Sequence, residues 1–199
     1  MLFHFYVTSI FKSFSMNYPD SRPTIKTERL ILSQLLISEG FEIRRMAGNS
    51  KVAVNTLNMP FPYPEGVAEE WISTHATEFF EKRQLILGIC LRKDKALIGC
   101  IGLTLKLEFE NAELGYWIGE EFWNNGYMTE AASVLVKYAF DTLMLHKIFA
   151  TIFSGNRASG RVLEKIGMAE EGHLREHVRH WGEYKDLDLY GIVNPQTHR

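Results

Sequence analysis

The stretch Glu113-Leu114-Gly115-Tyr116-Trp117-Ile118-Gly119-Glu120-Glu121-Phe122-Trp123-Asn124-Asn125-Gly126-Tyr127-Met128-Thr129-Glu130-Ala131-Ala132 constrains this chain more than any other. It begins as a run of aromatic, branched and small residues, the chemistry of a strand. A short polar loop holding Gly126 follows, and from Glu130 to Leu143 the pattern turns helical. Glu130, Ser133, Lys137 and Asp141 fall on one stripe and nearly all the rest is apolar, as for a helix lying on a sheet. A strand entering a helix through a glycine loop leaves the first helical N–H groups unpaired and facing the loop. With the helix dipole they favour an anion there. The same spacing also serves as a plain connection, so the anion reading depends on the residue types around it.

Ahead of that stretch, Asn17 to Pro23 reads as a linker, and Thr27 to Leu36 alternates as a first strand. Ser38 is placed to cap a helix, and Phe41, Arg44, Arg45, Val52 and Leu57 suggest one or two short helices. The prolines of Met59-Pro60-Phe61-Pro62-Tyr63-Pro64 exclude regular helix. They predict an extended loop, either at an acceptor entrance or simply covering the core. A helix from Pro64 to about Arg83 would bury Ala68, Trp71, Ile72, His75, Phe79 and Phe80. Gln84–Leu91 and Ala96–Leu107 read as strands around the turn Lys93-Asp94-Lys95. The near-continuous apolarity of Lys147 to Phe153 predicts a strand buried on both faces. Asn156 to Met168 predicts a helix capped by Asn156 and ended by Gly167, with Ala158, Val162, Leu163 and Ile166 as its core stripe. Glu170–Trp181 and Tyr184–Val193 form a terminal hairpin around Gly182-Glu183. This order implies an α+β fold: a mixed, mostly antiparallel sheet of about seven strands with a parallel pair at its centre and helices on both faces.

The 199 residues, 46% of them hydrophobic, suffice for one domain with a real core. That domain spans 24–193, after an extension and linker at 1–23 that reads as poorly packed, and before a tail at 194–199. With a net charge of −2 and scattered basic residues, the chain lacks the footprint of a nucleic-acid binder. The aromatic leader Leu2 to Phe11 is shorter than the roughly 20 apolar residues that span a bilayer. It also lacks a basic start and a small-residue cleavage site. It reads as an extension upstream of Met16, or else as an interfacial anchor, for which its single cation, Lys12, is little. If the hairpin turns at Lys93-Asp94-Lys95, Cys90 faces Ile98 and Cys100 is its diagonal neighbour. Diagonal Cβ atoms lie roughly 7–8 Å apart, beyond the roughly 4 Å of a disulfide. Free thiols fit a reducing cytoplasm.

Trp123-Asn124-Asn125-Gly126-Tyr127-Met128-Thr129-Glu130-Ala131 resembles the acetyl-coenzyme A pyrophosphate loop of the GNAT acyltransferase superfamily, most of all its ribosomal-protein N-terminal acetyltransferase (Rim-type) branch. Asn156-Arg157-Ala158-Ser159 with Val162 to Met168 resembles the branch's second cofactor-contacting helix, and Thr27 to Leu32 its first strand. The resemblance implies an acetyl-CoA-dependent N-acetyltransferase in which the parallel strands 113–118 and 147–153 splay apart. The backbone of Leu114, Tyr116, Trp117 and Ile118 would then grip the pantetheine arm, and the amides of Asn125, Gly126, Tyr127, Met128 and Thr129 the pyrophosphate. Asn156, Ser159, Arg161 and Lys165 would complete the cofactor site, with Arg157 a further cation nearby. Two residues depart from the pattern: Asn125 stands where a basic residue is common, and Met128 where glycine or alanine is. The loop then lacks a cation of its own, and Glu120 and Glu121 lie beside it.

Ser159 is the residue that resemblance assigns to protonating or polarising the leaving thiolate. Glu113 and Glu176 are the candidate bases, since an inward carboxylate on an apolar face should titrate high. The branch's own glutamate position falls on Val178, so Glu176 is a same-face substitute. Each glutamate reads equally well as an ion-paired surface residue. The acceptor implied is a protein or peptide α-amine, with a polyamine, aminoglycoside or amino-acid amine as the alternative. A non-catalytic CoA-binding module is the reading from another class. His173 and His177 share a strand face but His180 does not, and no Cys or Asp completes a ligand set, so no metal is expected. The reading is completed by a cytoplasmic monomer or homodimer that binds neither nucleic acid nor membrane.

Overall fold

In a computed structural model describing residues 18–196, branched and aromatic runs lay down one eight-stranded sheet among the described residues. The strands are β1 (Ile25–Lys26), β2 (Leu30–Ser33), β3 (Gln84–Leu91), β4 (Leu97–Lys106), β5 (Asn111–Ile118), β6 (Lys147–Phe153), β7 (Ala169–His180) and β8 (Glu183–Val193). Their spatial order is β1-β2-β3-β4-β5-β6-β8-β7. Every neighbouring pair is antiparallel except β5 and β6, which run parallel. The helices are α1 (Gly40–Ala47), α2 (Ser50–Ala53), α3 (Val67–Phe80), α4 (Tyr127–Asp141) and α5 (Arg157–Lys165). The leader 1–15 and the end of the tail, 197–199, lie outside the described residues.

The larger core sets Ala131, Leu135 and Ala139 of α4 against Leu87, Leu103, Leu114 and Ile148 of the sheet. Burying one such leucine contributes about 1.5–3 kcal/mol, so this layer fixes α4 on the strands that precede and follow it. A second cluster joins Ile43 and Met46 of α1, Ala68 and Ile72 of α3, and Leu97 and Cys100 of β4. Within the expected linker, the Tyr18 ring packs on Phe79 at 5.0 Å. Within the expected tail, Asn194 is buried and its amide donates to the Leu145 carbonyl at 3.1 Å.

Several local expectations are corrected. The strand expected over Thr27 to Leu36 shortens to β2, its start delayed because Thr27 Oγ1 accepts the Leu30 N–H at 2.9 Å and turns the chain between β1 and β2. Ser38 caps nothing; Glu39 reaches back to the Leu36 N–H at 2.7 Å and α1 begins at Gly40. Phe80 is 67% exposed, since α3 ends there and its inner stripe stops at Phe79. Cys90 faces Leu97 instead of Ile98, owing to an irregularity between Ile89 and Cys90, and both cysteines are free. Helix α4 starts at Tyr127, ahead of the first polar stripe residue, Glu130. Only Ile148 and Ala150 of β6 are buried, because beyond Phe149 its other edge has no strand beside it.

The β7–β8 hairpin carries a bulge. Register passes from Leu174↔Leu187 to Val178↔Lys185, so Arg175, Glu176 and His177 oppose Asp186 alone. Glu176 sits there at φ 48° and is exposed. Its N–H donates to Asp186 Oδ1 at 2.7 Å. The expected inward-facing carboxylate is therefore corrected: the bulge breaks the alternation that would have carried Glu176 to the apolar face. His173 braces the bulge between Asp188, at 2.8 Å, and Asp186, at 3.2 Å. Asp188 in turn accepts from Ser154 Oγ at 2.6 Å. The hydrogen bond to Asp188, with the charges of both aspartates, raises the His173 pKa above its ordinary value. A raised folded-state pKa stabilises below the unfolded value of about 6.5, and that contribution is lost as pH rises through the folded value. The melting temperature of the protein should therefore exceed that of His173→Gln more at pH 6 than at pH 9, as differential scanning calorimetry would read.

Candidate active site

Strand β5 keeps β4 along its whole length, from Lys106↔Asn111 to Gly99↔Ile118. Strand β6 keeps β8 equally, from Lys147↔Val193 to Phe153↔Leu187. Between them the parallel ladder closes only Asn111↔Lys147, Ala112↔Ile148 and Glu113↔Phe149, and then the strands part. The resulting cleft, of about 520 Å³, is walled by Tyr116, Trp117 and Ile118, by Gly126 to Thr129, and by Asn156, Ser159, Arg161 and Lys165 of the α5 side. Gly115 is exposed, with nothing within 4 Å of a Cβ built on it, so the β5 backbone lies open there.

At the cleft's end the chain turns into α4 through Gly126, at φ 75°, where a side chain would be strained. No side chain caps this helix, so its first amides remain for a ligand. The turn is held from outside. Trp123 Nε1 donates to the Ile118 carbonyl at 2.9 Å, and Asn125 Nδ2 to the carbonyls of Phe122 (3.2 Å) and Trp123 (2.9 Å). Arg29 Nη1 donates to the Asn125 carbonyl at 2.9 Å and Arg29 Nε to Glu130 at 2.6 Å, with the guanidinium 4.7 Å above the Tyr127 ring. Glu130 also accepts from Thr27 Oγ1 at 2.5 Å and from the Arg29 N–H at 3.0 Å. Burial alone would raise the Glu130 pKa, but these hydrogen bonds outweigh it and hold the carboxyl below its ordinary value. The feared acidic neighbours are paired: Glu120 with Lys51, and Glu121 with Arg45 at 2.8 Å.

Across the cleft, the Asn156 side chain accepts from the Ser159 N–H at 3.1 Å and caps α5. Ser159 Oγ donates to the Tyr116 hydroxyl at 3.0 Å. Burial pushes the Tyr116 pKa up to about 12, against the lowering effect of Ser159, so Tyr116 stays protonated.

Of the residues expected at the site, eleven wall the cleft: Tyr116, Trp117, Ile118, Gly126, Tyr127, Met128, Thr129, Asn156, Ser159, Arg161 and Lys165. Leu114 does not, because its side chain is buried in the core; Asn125 does not, because its side chain is turned back onto its own loop. Met128 is buried, which is how a large side chain is tolerated where a small one was expected. Ala158 belongs to the cleft wall instead of the core. Glu113 lies outside the wall and accepts from Thr151 Oγ1 at 2.8 Å; Glu176 lies outside it on the bulge. Val52, Asn55, Thr56, Phe122, Trp123, Asn124 and Val162 also line the cleft and were missed as site residues. Trp123 and Asn124 carried a signal, their place in the quoted loop motif, and Val162 stood in the quoted helix motif. Arg29 was quoted for a strand and not for the loop that it touches. The proline loop meets the hairpin tip, Phe61 stacking on Trp181 at 5.3 Å, Trp181 on His180 at 4.8 Å, and His180 lying 4.8 Å from Phe153 of the parted strand.

A sheet split between parallel strands, with an uncapped helix start opening on the split, suits an enzyme that binds a long phosphorylated carrier. Residues 29–169 match the acetyltransferase (GNAT) domain, and the chain belongs to that family. It is 36% identical to the uncharacterized N-acetyltransferase YoaA of Bacillus subtilis (strain 168), over 87% of this chain and 98% of the relative. It is 28% identical to the [ribosomal protein uS5]-alanine N-acetyltransferase of Escherichia coli (strain K12), over 51% of this chain and 54% of that one. The crystal structure of an acetyltransferase (GNAT family) from Bacillus anthracis superposes with a TM-score of 0.77 at 26% identity, covering 86% of this chain and 99% of that one. The protein is an acetyl-CoA-dependent N-acetyltransferase. Its residues fit that cofactor: the positive-φ glycine, the uncapped amides and the open β5 edge leave room and donors for a phosphorylated arm. Among the described residues no group of three or more His, Cys, Asp or Glu could hold a metal ion. No helix among them is long and apolar enough to cross a membrane.

Gly126→Ala should cost about 1–2 kcal/mol of folding stability, the strain of a left-handed non-glycine residue, read by urea denaturation. Asn156→Ala should cost about 1 kcal/mol by loss of the α5 cap, on the same measurement.

Proposed function

We propose that the protein acetylates the α-amino group at the N-terminus of a protein or peptide. The observation that carries this reading is that neither candidate carboxylate, Glu113 or Glu176, walls the cleft. A site without an adjacent base suits an amine that is partly neutral at physiological pH. An α-amine, with a pKa of about 7.7–8.0, meets that condition; a lysine-like amine at about 10.4 does not. The relation to the uS5-alanine N-acetyltransferase supports the same class.

Acetyl-CoA supplies the acetyl group as a reactive thioester. The β5 backbone from Leu114 to Ile118 would hold its pantetheine arm as an added strand. The amides of Gly126 to Thr129 would hold the pyrophosphate, with Arg161 and Lys165 near the outer phosphates. The Asn156 amide nitrogen would steady the arm while its oxygen caps α5. Ser159 Oγ–H, donated to the Tyr116 hydroxyl in this structure, would turn to the departing sulfur as the thiolate leaves, and the serine would recover its proton from the ammonium that the attacking amine becomes. The stacked Phe61 and Trp181 would border the acceptor's approach. The unbridged thiols of Cys90 and Cys100 support a reducing, cytoplasmic setting.

Incubation with acetyl-CoA and a panel of peptides, spermidine, free amino acids and an aminoglycoside tests the acceptor, by thiol release and mass spectrometry of the product. Peptide α-acetylation is expected; turnover confined to the small amines would overturn the assignment. For the peptide reaction, kcat/KM should rise with pH through about 7.7–8.0 in both wild type and Glu113→Gln. A pH profile that shifts in Glu113→Gln would return the base to that carboxylate. Ser159→Ala should lower kcat about 100-fold with little change in the KM for acetyl-CoA.

A further inference from the structure

We infer that Arg29, immediately before β2, is the positioning residue of the phosphate-binding turn and supplies the cation that the turn lacks. The proposal rests on the coenzyme A reading of that turn. Between Ile118 and Thr129 the sequence has neither lysine nor arginine. The guanidinium arrives from about a hundred residues away in sequence, as the separations of its bonds show. It grips the turn at three points: Nε on Glu130, Nη1 on the Asn125 carbonyl, and its face on the Tyr127 ring. Its third nitrogen, Nη2, stands 3.6 Å from where a Gly126 Cβ would be.

Each contact fixes something that an anion site needs. Holding the Asn125 carbonyl sets the peptide plane leading into Gly126, and so the direction of the amides that follow. Holding Glu130 draws the acidic side chain of the helix's first turn toward Thr27 and Arg29, away from the amides that it could otherwise cap. The planar fork is suited to both tasks, where an ammonium would satisfy one at a time. The charge left facing the turn adds to the helix dipole. Arg92 provides an internal comparison. It braces the same segment, Nη1 donating to the carbonyls of Thr27 (2.7 Å) and Glu28 (3.3 Å), and it contacts the bend between β1 and β2 instead of the turn at Gly126.

Calorimetric titration of CoA into the intact protein, with pantetheine as competitor, tests this without any acceptor. Arg29→Gln should weaken CoA about tenfold, the scale of a charge at a partly buried helix start, while pantetheine, which lacks the pyrophosphate, changes less than about twofold. Arg29→Lys should fall between, and Arg92→Gln should bind CoA as the wild type does. Unchanged CoA affinity in Arg29→Gln, equal losses for CoA and pantetheine, or an equal loss in Arg92→Gln would each overturn the assignment. If Arg29→Gln does not fold, by its melting curve, Arg29→Lys decides: a loss confined to CoA supports the proposal, and proportional losses for both ligands reject it. A wild type that binds no CoA would instead refute the reading of the turn itself.

Discussion

Everything at the cleft follows from backbone hydrogen bonding. Two strands that should share a ladder share it for three residue pairs and then go unshared. Unpaired strand edges are costly when buried and hazardous when exposed. Here each strand keeps its other neighbour, β4 for β5 and β8 for β6, so the separation unpairs one edge of each and leaves both anchored. Those edges are an extended, hydrogen-bonding surface that a linear guest can complete.

Charge is handled in the same economical way. The cleft is lined by backbone, aromatic rings and small polar groups, and most ionic side chains around it are occupied by one another. Lys51 and Arg45, from the α1–α2 region, take up Glu120 and Glu121. Arg29 takes up Glu130. What remains toward the ligand is the field of a helix start, the Arg29 Nη2 beside Gly126, and the cations of α5, Arg161 and Lys165.

The sequence was most legible where local rules act. Strands β3 and β6 matched their expected bounds, and α4 and α5 stood where apolar periodicity placed them. Asn156 could be read as a cap because capping is a property of a few adjacent residues. Long-range pairings were not legible in this way. Arg29 was read only as part of a strand motif, although it contacts the loop that the same reading judged short of a cation. Glu176 was assigned a face by strict alternation, and the bulge, pinned by Asp186 on β8 and by His173 on β7 itself, cancelled it. Asn55 and Thr56 reached the cleft through the path of α2, which no motif announces.

The indole of Trp123 has a role beyond closing a turn. By occupying the Ile118 carbonyl it marks the point where the open edge of β5 ends. The edge begins where the ladder with β6 stops, at Glu113, so its two limits are set by the protein before any guest arrives. At about 3.3 Å per residue the interval is roughly 17 Å. The strand is thus a ruler with both ends engraved, its free edge measured off by the parting from β6 at one end and by the indole at the other.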